Sequence, residues 1–402
     1  MIKRDNYCHN FISKSFQIKI IFVFLFLLAI IFGSCENKPT DLGLNYVPPY
    51  DTLKTKILDS RKDSVQITGF NFRQYVNTGN SQNLLVGKYQ GYESRGLLKF
   101  NFVPTGFDSA TVISAKLCLR YNKYYFQDSL GVTSFNIYKL NKSVDFSTVT
   151  FDQVSLSDIG TSVLANFSGT PTDTNLITLN FDNQTISDWL KYAVDTSYIN
   201  KNYGIVFLPG TSSTTIKGFY SAINQTFYPY IKIVTSKNTT IDSFTITGTV
   251  SASLSDAPST IIPNGEIVLQ SGVSYHGVLK FDLTKLPANV IINEAYIELK
   301  TDKANSFYPN SDSRVTVSML TDTTMLTSDN VYYYGNFIDS ITYSVRINPI
   351  MQFWNISPAK NYGVQLKTVN DLSNLDKIVL YSPIYSDVSK RPYLRILYTL
   401  RN

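Results

Sequence analysis

The feature that most restricts what this chain can fold into is an internal duplication. Gly96-Leu97-Leu98-Lys99-Phe100 returns as Gly277-Val278-Leu279-Lys280-Phe281. Upstream, Asp63-Ser64-Val65-Gln66-Ile67-Thr68-Gly69 is answered by Asp242-Ser243-Phe244-Thr245-Ile246-Thr247-Gly248. Downstream, the pattern apolar-x-x-Ala-x-apolar-x-Leu occurs at Val112–Leu119 and at Ile292–Leu299, and Ser147-Thr148-Val149-Thr150-Phe151 parallels Asp329-Asn330-Val331-Tyr332-Tyr333. Trp189 and Trp354, the only tryptophans, each precede the same triplet, Asn202-Tyr203-Gly204 and Asn361-Tyr362-Gly363. Pro229-Tyr230-Ile231-Lys232-Ile233 closes the first copy and Pro392-Tyr393-Leu394-Arg395-Ile396 the second. Each unit runs to roughly 165–180 residues, far beyond the periods of about 20–50 that build solenoids. A unit that long can bury a core of its own. Two like domains are therefore expected, at 51–236 and 237–402, with the polar stretch Thr235–Thr240 as the linker.

The blocks themselves have strand periodicity. In Leu98-Lys99-Phe100-Asn101-Phe102 and Leu279-Lys280-Phe281-Asp282-Leu283 apolar residues alternate with polar ones, so one face points to a core and the other to solvent. Pro104 and Pro287 stop these strands. With 28 Tyr and 25 Phe among short apolar runs, the composition is that of an all-β protein built from antiparallel sandwiches. One short helix is expected per unit. Ile186, Trp189, Leu190 and Ala193 fall on one helical face, with Asn183 or Thr185 as cap, and Asn348-Pro349 offers a cap followed by proline at the first turn. Trp189, Tyr203, Gly204, Trp354, Tyr362 and Gly363 read as structural residues of the repeat, the tryptophans plugging one end of each sandwich.

The N-terminus carries a different signal. Lys3, Arg4, Lys14 and Lys19 precede an apolar run of 13, Ile20–Phe32, followed by Gly33, Ser34 and Cys35. The run is short of the roughly 20 residues that span a bilayer, and it reads as a secretory signal at 1–34. A small pair directly followed by cysteine resembles the lipobox of bacterial lipoproteins. That resemblance implies cleavage before Cys35, acylation of its thiol and attachment of the chain to a membrane. The other reading is a secreted protein with a chance cysteine. Residues 35–50, containing Pro39, Pro48 and Pro49, would form an extended tether.

Removing 1–34 takes four of the 36 basic residues and one of the 30 acidic ones, lowering the net charge from +6 to +3. Nothing in that balance supports nucleic-acid binding. Cys118 alone remains beside Cys35, so no disulfide can form within the mature chain, and Cys118 reads as a small buried residue.

A strand ending Leu-x-Phe-Asp-Leu, then Leu-Pro, Ile-x-x-Ala-x-Leu-x-Leu, a Trp block, Asn-Tyr-Gly and a closing Arg-Pro-x-Leu resembles the DNRLRE-type domain. Unit two carries it best, through Leu279–Leu283, Leu286-Pro287, Asn361–Gly363 and Arg391–Leu394. Unit one departs, with Val103-Pro104 in place of Leu-Pro and Tyr228 before Pro229. The resemblance implies tandem jelly-roll-like sandwiches on a surface protein, and some members bind polysaccharide. Asp41–Leu44 after the lipobox is also similar to outer-membrane lipoproteins of Bacteroidetes, which implies an envelope location facing outward.

Little points to catalysis. No carboxylate pair stands in a glycosidase-like motif. His276, the only histidine left in the mature chain, sits beside the 277–279 strand, where it reads as exposed or capping. Zinc would need clustered His or Cys. The chain is expected to be non-catalytic and without cofactor. A structural calcium has only the acidic loops Asn310–Asp312 and Asp322–Asp329 to use, and solvated loops are the simpler reading. Sugar binding needs exposed rings beside polar groups. Two clusters offer them: Tyr121, Tyr124 and Tyr125, and Tyr332, Tyr333 and Tyr334. Strand alternation turns about half of each cluster inward. Three functional readings stay open, in this order: an anchored binding module, for polysaccharide or a host or cell-wall partner; a structural or assembly lipoprotein without glycan binding; and, a distant third, a hydrolase.

Overall fold

Strand follows strand through a computed structural model that describes residues 54–258, 265–309 and 313–400. The protein is all-β, with two α-helices among the described residues, and its antiparallel strands form two curled, sandwich-like halves. In half one, hydrogen bonding runs in the order 240–247, 230–237, 111–126, 216–220, 83–89, 92–99, 205–209, 133–139 and 165–169, with 176–181 added on 111–126 and 250–256 on 92–99. The long strand Thr111–Phe126 forms a corner. Its first part pairs with 230–237 and its last part with 216–220. Half two is built likewise, from 266–399 together with the strands Thr55–Asp59 and Ile67–Arg73.

Alternation decides what lies between the layers. Leu98, Phe100, Leu117, Leu119, Phe135, Phe207 and Phe219 fill half one, and Leu279, Phe281, Ile297, Val317, Tyr343 and Leu366 fill half two. Leu85, Tyr92, Tyr124, Phe126, Val268 and Val379 form a further core where the two halves meet, and Thr55–Asn402 is one compact unit.

Each half has its helix, α1 at Asn183–Val194 and α2 at Asn348–Ile356. Both tryptophans point into their cores. Trp189 packs on Phe100 and Phe181, and Trp354 on Phe281. The caps differ from expectation. Asp182, not Asn183 or Thr185, caps α1 by accepting the Thr185 N–H at 2.7 Å. Nor does Asn348 cap α2. Instead, both asparagines hold a β-bulge. Ile113 is skipped in the pairing of 111–126 with 230–237, and the Asn183 amide donates to its carbonyl at 3.1 Å. Asn293 is skipped in the pairing of 291–300 with 393–399, and Asn348 donates to its carbonyl at 2.7 Å while accepting the Ala295 N–H at 2.7 Å. A bulge leaves backbone groups without ladder partners, and the side-chain amide supplies them.

The Asn-Tyr-Gly triplet has an equally local cause. Asn202 donates to the Phe100 carbonyl at 2.8 Å and Asn361 to the Phe281 carbonyl at 2.9 Å, at the point where each core strand leaves its ladder. Gly204 and Gly363 have φ of +106° and +98°, and a Cβ there would stand 2.8 Å from the Leu98 oxygen or 2.5 Å from the Leu279 oxygen. Only glycine accepts both the dihedral and the approach.

Thr235–Thr240 is not a linker. Asn238 takes a positive φ of 57°, and the chain doubles back so that 240–247 pairs along the whole of 230–237. Sheet membership therefore crosses the repeat boundary: 240–256 completes half one, while 55–73 completes half two.

Candidate functional site

The two tyrosine clusters have different fates. Tyr121 is 4% exposed, part of the core of half one, with its ring edge-on to Phe219 and burial pushing its hydroxyl up to about 12. Tyr124 is 5% exposed and sits between the halves. Its hydroxyl accepts the Leu375 N–H at 2.8 Å and donates to Asp376 at 3.2 Å. Burial first, and the Asp376 charge second, raise its pKa well above that of a free phenol. Tyr125 is half-buried, edge-on to Phe307. Beneath Tyr121 and Tyr125 lies the fully buried Lys217, its ammonium 5.6 Å from each ring centre and donating to the Ser129 carbonyl at 2.6 Å. Desolvation lowers its pKa. A cleft of about 670 Å³ is lined by Tyr121, Tyr124 and Tyr125 together with Asn122, Lys123, Asp173 and Asn374, but with Tyr121 and Tyr124 this deeply buried, Tyr125 is the most open ring of the three.

The second cluster is a surface. Tyr332 and Tyr334 are 45% and 46% exposed, while Tyr333 alternates inward against the core of half two. Burial, with the nearby Asp329 second, raises the Tyr333 pKa. Sheet register builds the surroundings. Tyr334 lies opposite Thr316, and Thr316 opposite Lys367, so the three form one cross-strand row. The Arg314 guanidinium lies 4.9 Å from the Tyr334 ring centre. Tyr332 and Tyr334 stand between two depressions. One, of about 370 Å³, is walled by Thr316, Lys367, Asn370 and Asp371, and the other, of about 500 Å³, by Tyr333, Arg346 and Asn348.

His276 stands behind the first of these. It is 1% exposed, neither exposed nor capping, since it lies inside the 275–281 strand, which 67–73 flanks in the same sheet. Its Nε2 lies 3.1 Å from both carboxylate oxygens of Asp371, and Phe72 packs edge-on to the ring. Asp371 thereby holds a fixed place in the cleft wall. Sequence reasoning missed Thr316, Lys367 and Asp371. The alternation Val315-Thr316-Val317 does mark Thr316 as facing away from the core, but nothing in sequence marks which strands lie beside it.

The remaining candidates are quickly placed. Cys118 is buried, on the face opposite Leu117 and Leu119, with its Sγ 3.8 Å from Thr178 Oγ1. Asp322 accepts the Thr324 and Met325 N–H groups and Asp329 the Met319 N–H, so these loop carboxylates serve their own turns. Among the described residues no group of three metal-ligating side chains occurs, and no helix is long and apolar enough to cross a membrane. Cys35 and Asn310–Asp312 lie outside the described residues. No protein-family model matches the chain, and no curated protein matches its sequence.

Proposed function

We propose that this protein is a lipid-anchored, non-catalytic binding module of the cell envelope, with the Tyr332–Tyr334 face of half two as its contact surface for polysaccharide. The observation that carries this is the placement of two exposed phenol rings beside a polar cross-strand row, the half-buried Lys367 and the largely buried Thr316, on paired strands. Sugar rings present C–H faces to aromatic planes and hydroxyls to flanking polar groups. Anchoring rests on the basic–apolar–Gly-Ser-Cys pattern ending at Cys35, and the outward location on the likeness to Bacteroidetes lipoproteins and DNRLRE-type domains.

Residues 51–402 carrying Tyr332→Ala and Tyr334→Ala, compared with the unaltered fragment on a panel of immobilised polysaccharides, test the face. Expected is a tenfold or greater loss of binding with an unchanged melting temperature. Equal binding by both proteins refutes the face, and a panel on which nothing binds refutes the polysaccharide. In cells, Cys35→Ser should move the protein out of the membrane fraction. One observation favours the second reading, an assembly lipoprotein: half two is completed by strands from the N-terminal side of the chain.

A further inference from the structure

The two halves are completed from different parts of the chain. In half one, the positions beside 230–237 and 92–99 are filled by 240–247 and 250–256, which follow directly in sequence. In half two, the corresponding positions beside 393–399 and 275–281 are filled by 55–59 and 67–73. This N-terminal pair is fastened almost entirely to half two. Leu58 and Val65 enter its core. Asn71 donates to the Val268 carbonyl at 2.7 Å, Ser60 Oγ accepts the Leu394 N–H at 2.9 Å, and Asp59 accepts the Tyr393 hydroxyl at 2.9 Å.

The crossing to half one is abrupt. The Gln74 N–H still donates to Ser274 of half two. By Asn77 and Thr78 the chain is bonded to Phe146, Val149 and Ser253 of half one. Only Tyr75 and Val76 lie between. Across this crossing, Arg73 pairs with Asp256 at 2.5 Å.

We propose that residues 55–73 are an exchangeable strand pair, and that the slot they fill in half two accepts the same segment from a second copy of this chain. Every contact of residues 55–73 named above, except the Arg73–Asp256 pair, lies wholly between the segment and half two. Those contacts are the same whichever copy supplies the segment. What favours the chain's own segment is its local concentration, on the order of millimolar for a short connection. A hinge of two residues holds that advantage down, since short connections leave little freedom for self-closure and favour swapping. With the slot empty, 393–399 and 275–281 are open sheet edges, which template pairing with an incoming strand. Each copy that gives its segment to the next can receive one from the last, so the contact is head-to-tail and extends into chains of copies or closes into a ring. The proposal stands on strand pairing and not on what the tyrosine face binds.

Ile57 and Leu397 lie opposite one another in the 55–59/393–399 pair, Ile57 exposed and Leu397 half-buried. Residues 51–402 are made as two single variants, Ile57→Cys with an affinity tag and Leu397→Cys without, leaving the buried Cys118 in place. They are mixed, unfolded in urea, refolded over a range of protein concentrations and oxidised. Expected is a disulfide-linked heterodimer whose fraction rises with concentration. The double variant Ile57→Cys/Leu397→Cys is run beside them. If it closes within its own chain while the mixture gives no heterodimer at any concentration, exchange is refuted. If it does not cross-link at all, the pairing on which the proposal stands is refuted. Deleting Tyr75 and Val76 should shift the unmodified fragment from monomer to oligomers in light scattering, and a folded monomer after that deletion also refutes exchange.

Discussion

Replacing Gly363 with alanine tests the packing logic of the repeat at one methyl group. Two costs meet there. At φ +98° an L side chain is strained, by about 1–2 kcal/mol in the left-handed region. The added Cβ would also stand 2.5 Å from the Leu279 carbonyl oxygen and 2.8 Å from Lys280 Cγ. The first of these is backbone inside a core ladder and cannot rotate away, so relief requires shifting a strand, at about 1–3 kcal/mol for overpacking. The total expected for Gly363→Ala is about 2–5 kcal/mol. Gly106 separates the two contributions. Its φ is +91°, yet nothing lies within 4 Å of the position its Cβ would take. Gly106→Ala should therefore cost only the dihedral strain, about 1–2 kcal/mol. Gly204→Ala, with φ +106° and the Leu98 oxygen at 2.8 Å, should fall with Gly363→Ala. Urea unfolding followed by tryptophan fluorescence reads all three, since Trp189 and Trp354 report one half each. Costs for Gly363→Ala and Gly106→Ala that agree within about 0.5 kcal/mol, the usual scatter of neutral surface changes, would refute the close-approach argument.

Tyr124→Phe keeps the ring but strips the Leu375 N–H and Asp376 of their shared partner. It should cost about 1–3 kcal/mol in urea unfolding, whereas Tyr334→Phe on the open face should fall within about 0.5 kcal/mol of the parent. Asp182→Ala should lose about 0.5–2 kcal/mol as the cap of α1 goes, and an equal loss from Thr185→Ala alone would instead credit the side-chain contact between them. Alkali should destabilise the protein in a definite window. Tyr92, Tyr121 and Tyr393 are each pushed up to about 12 from 10, in every case first by burial. Above pH 10 the unfolded chain releases these phenolic protons while the folded chain retains them. Stability from these groups is thus complete below pH 10 and is lost as pH climbs through 12. Phenolate absorbance that rises fully near pH 10 with the fold intact would contradict this.

Much of the architecture was legible because strand faces are written in alternation. Leu98-Lys99-Phe100 and Leu279-Lys280-Phe281 announce a core face in any register, and the helical spacing of Ile186, Trp189 and Leu190 announces α1. Matching by short blocks carried less far. The block pattern aligns Gly69 with Gly248, yet Gly69 pairs with Leu279 while the partner of the equivalent Leu98 is Ser251. Val149 and Val331 fall in like blocks, but one is buried and the other exposed. Blocks of ordinary strand residues repeat chemically at offsets that the pleat does not honour, because a shift of one residue reverses every face. The candidate site was legible only as far as alternation reaches. It shows that some tyrosines must turn inward, and the corner in the 111–126 strand decides that Tyr121 and Tyr124 are among them. The polar row beside Tyr334 depends on strand order, which no local pattern encodes.

The same limit explains why the repeat boundary misleads. Reading blocks in order assigns 55–73 to the first unit because it comes first. Pairing is set by which edges remain open, and the hairpin at Asn238 delivers 240–247 to 230–237 across a turn of two residues. Closing that turn costs far less chain entropy than recruiting a segment from the other end of the molecule, since closure entropy grows with the loop that must be formed. Half one is therefore completed locally, and 55–59 pairs with 393–399 instead. The 55–73 pair precedes half two in the chain and can pair only after half two exists, so its contacts, the most remote in sequence among the described residues, form late.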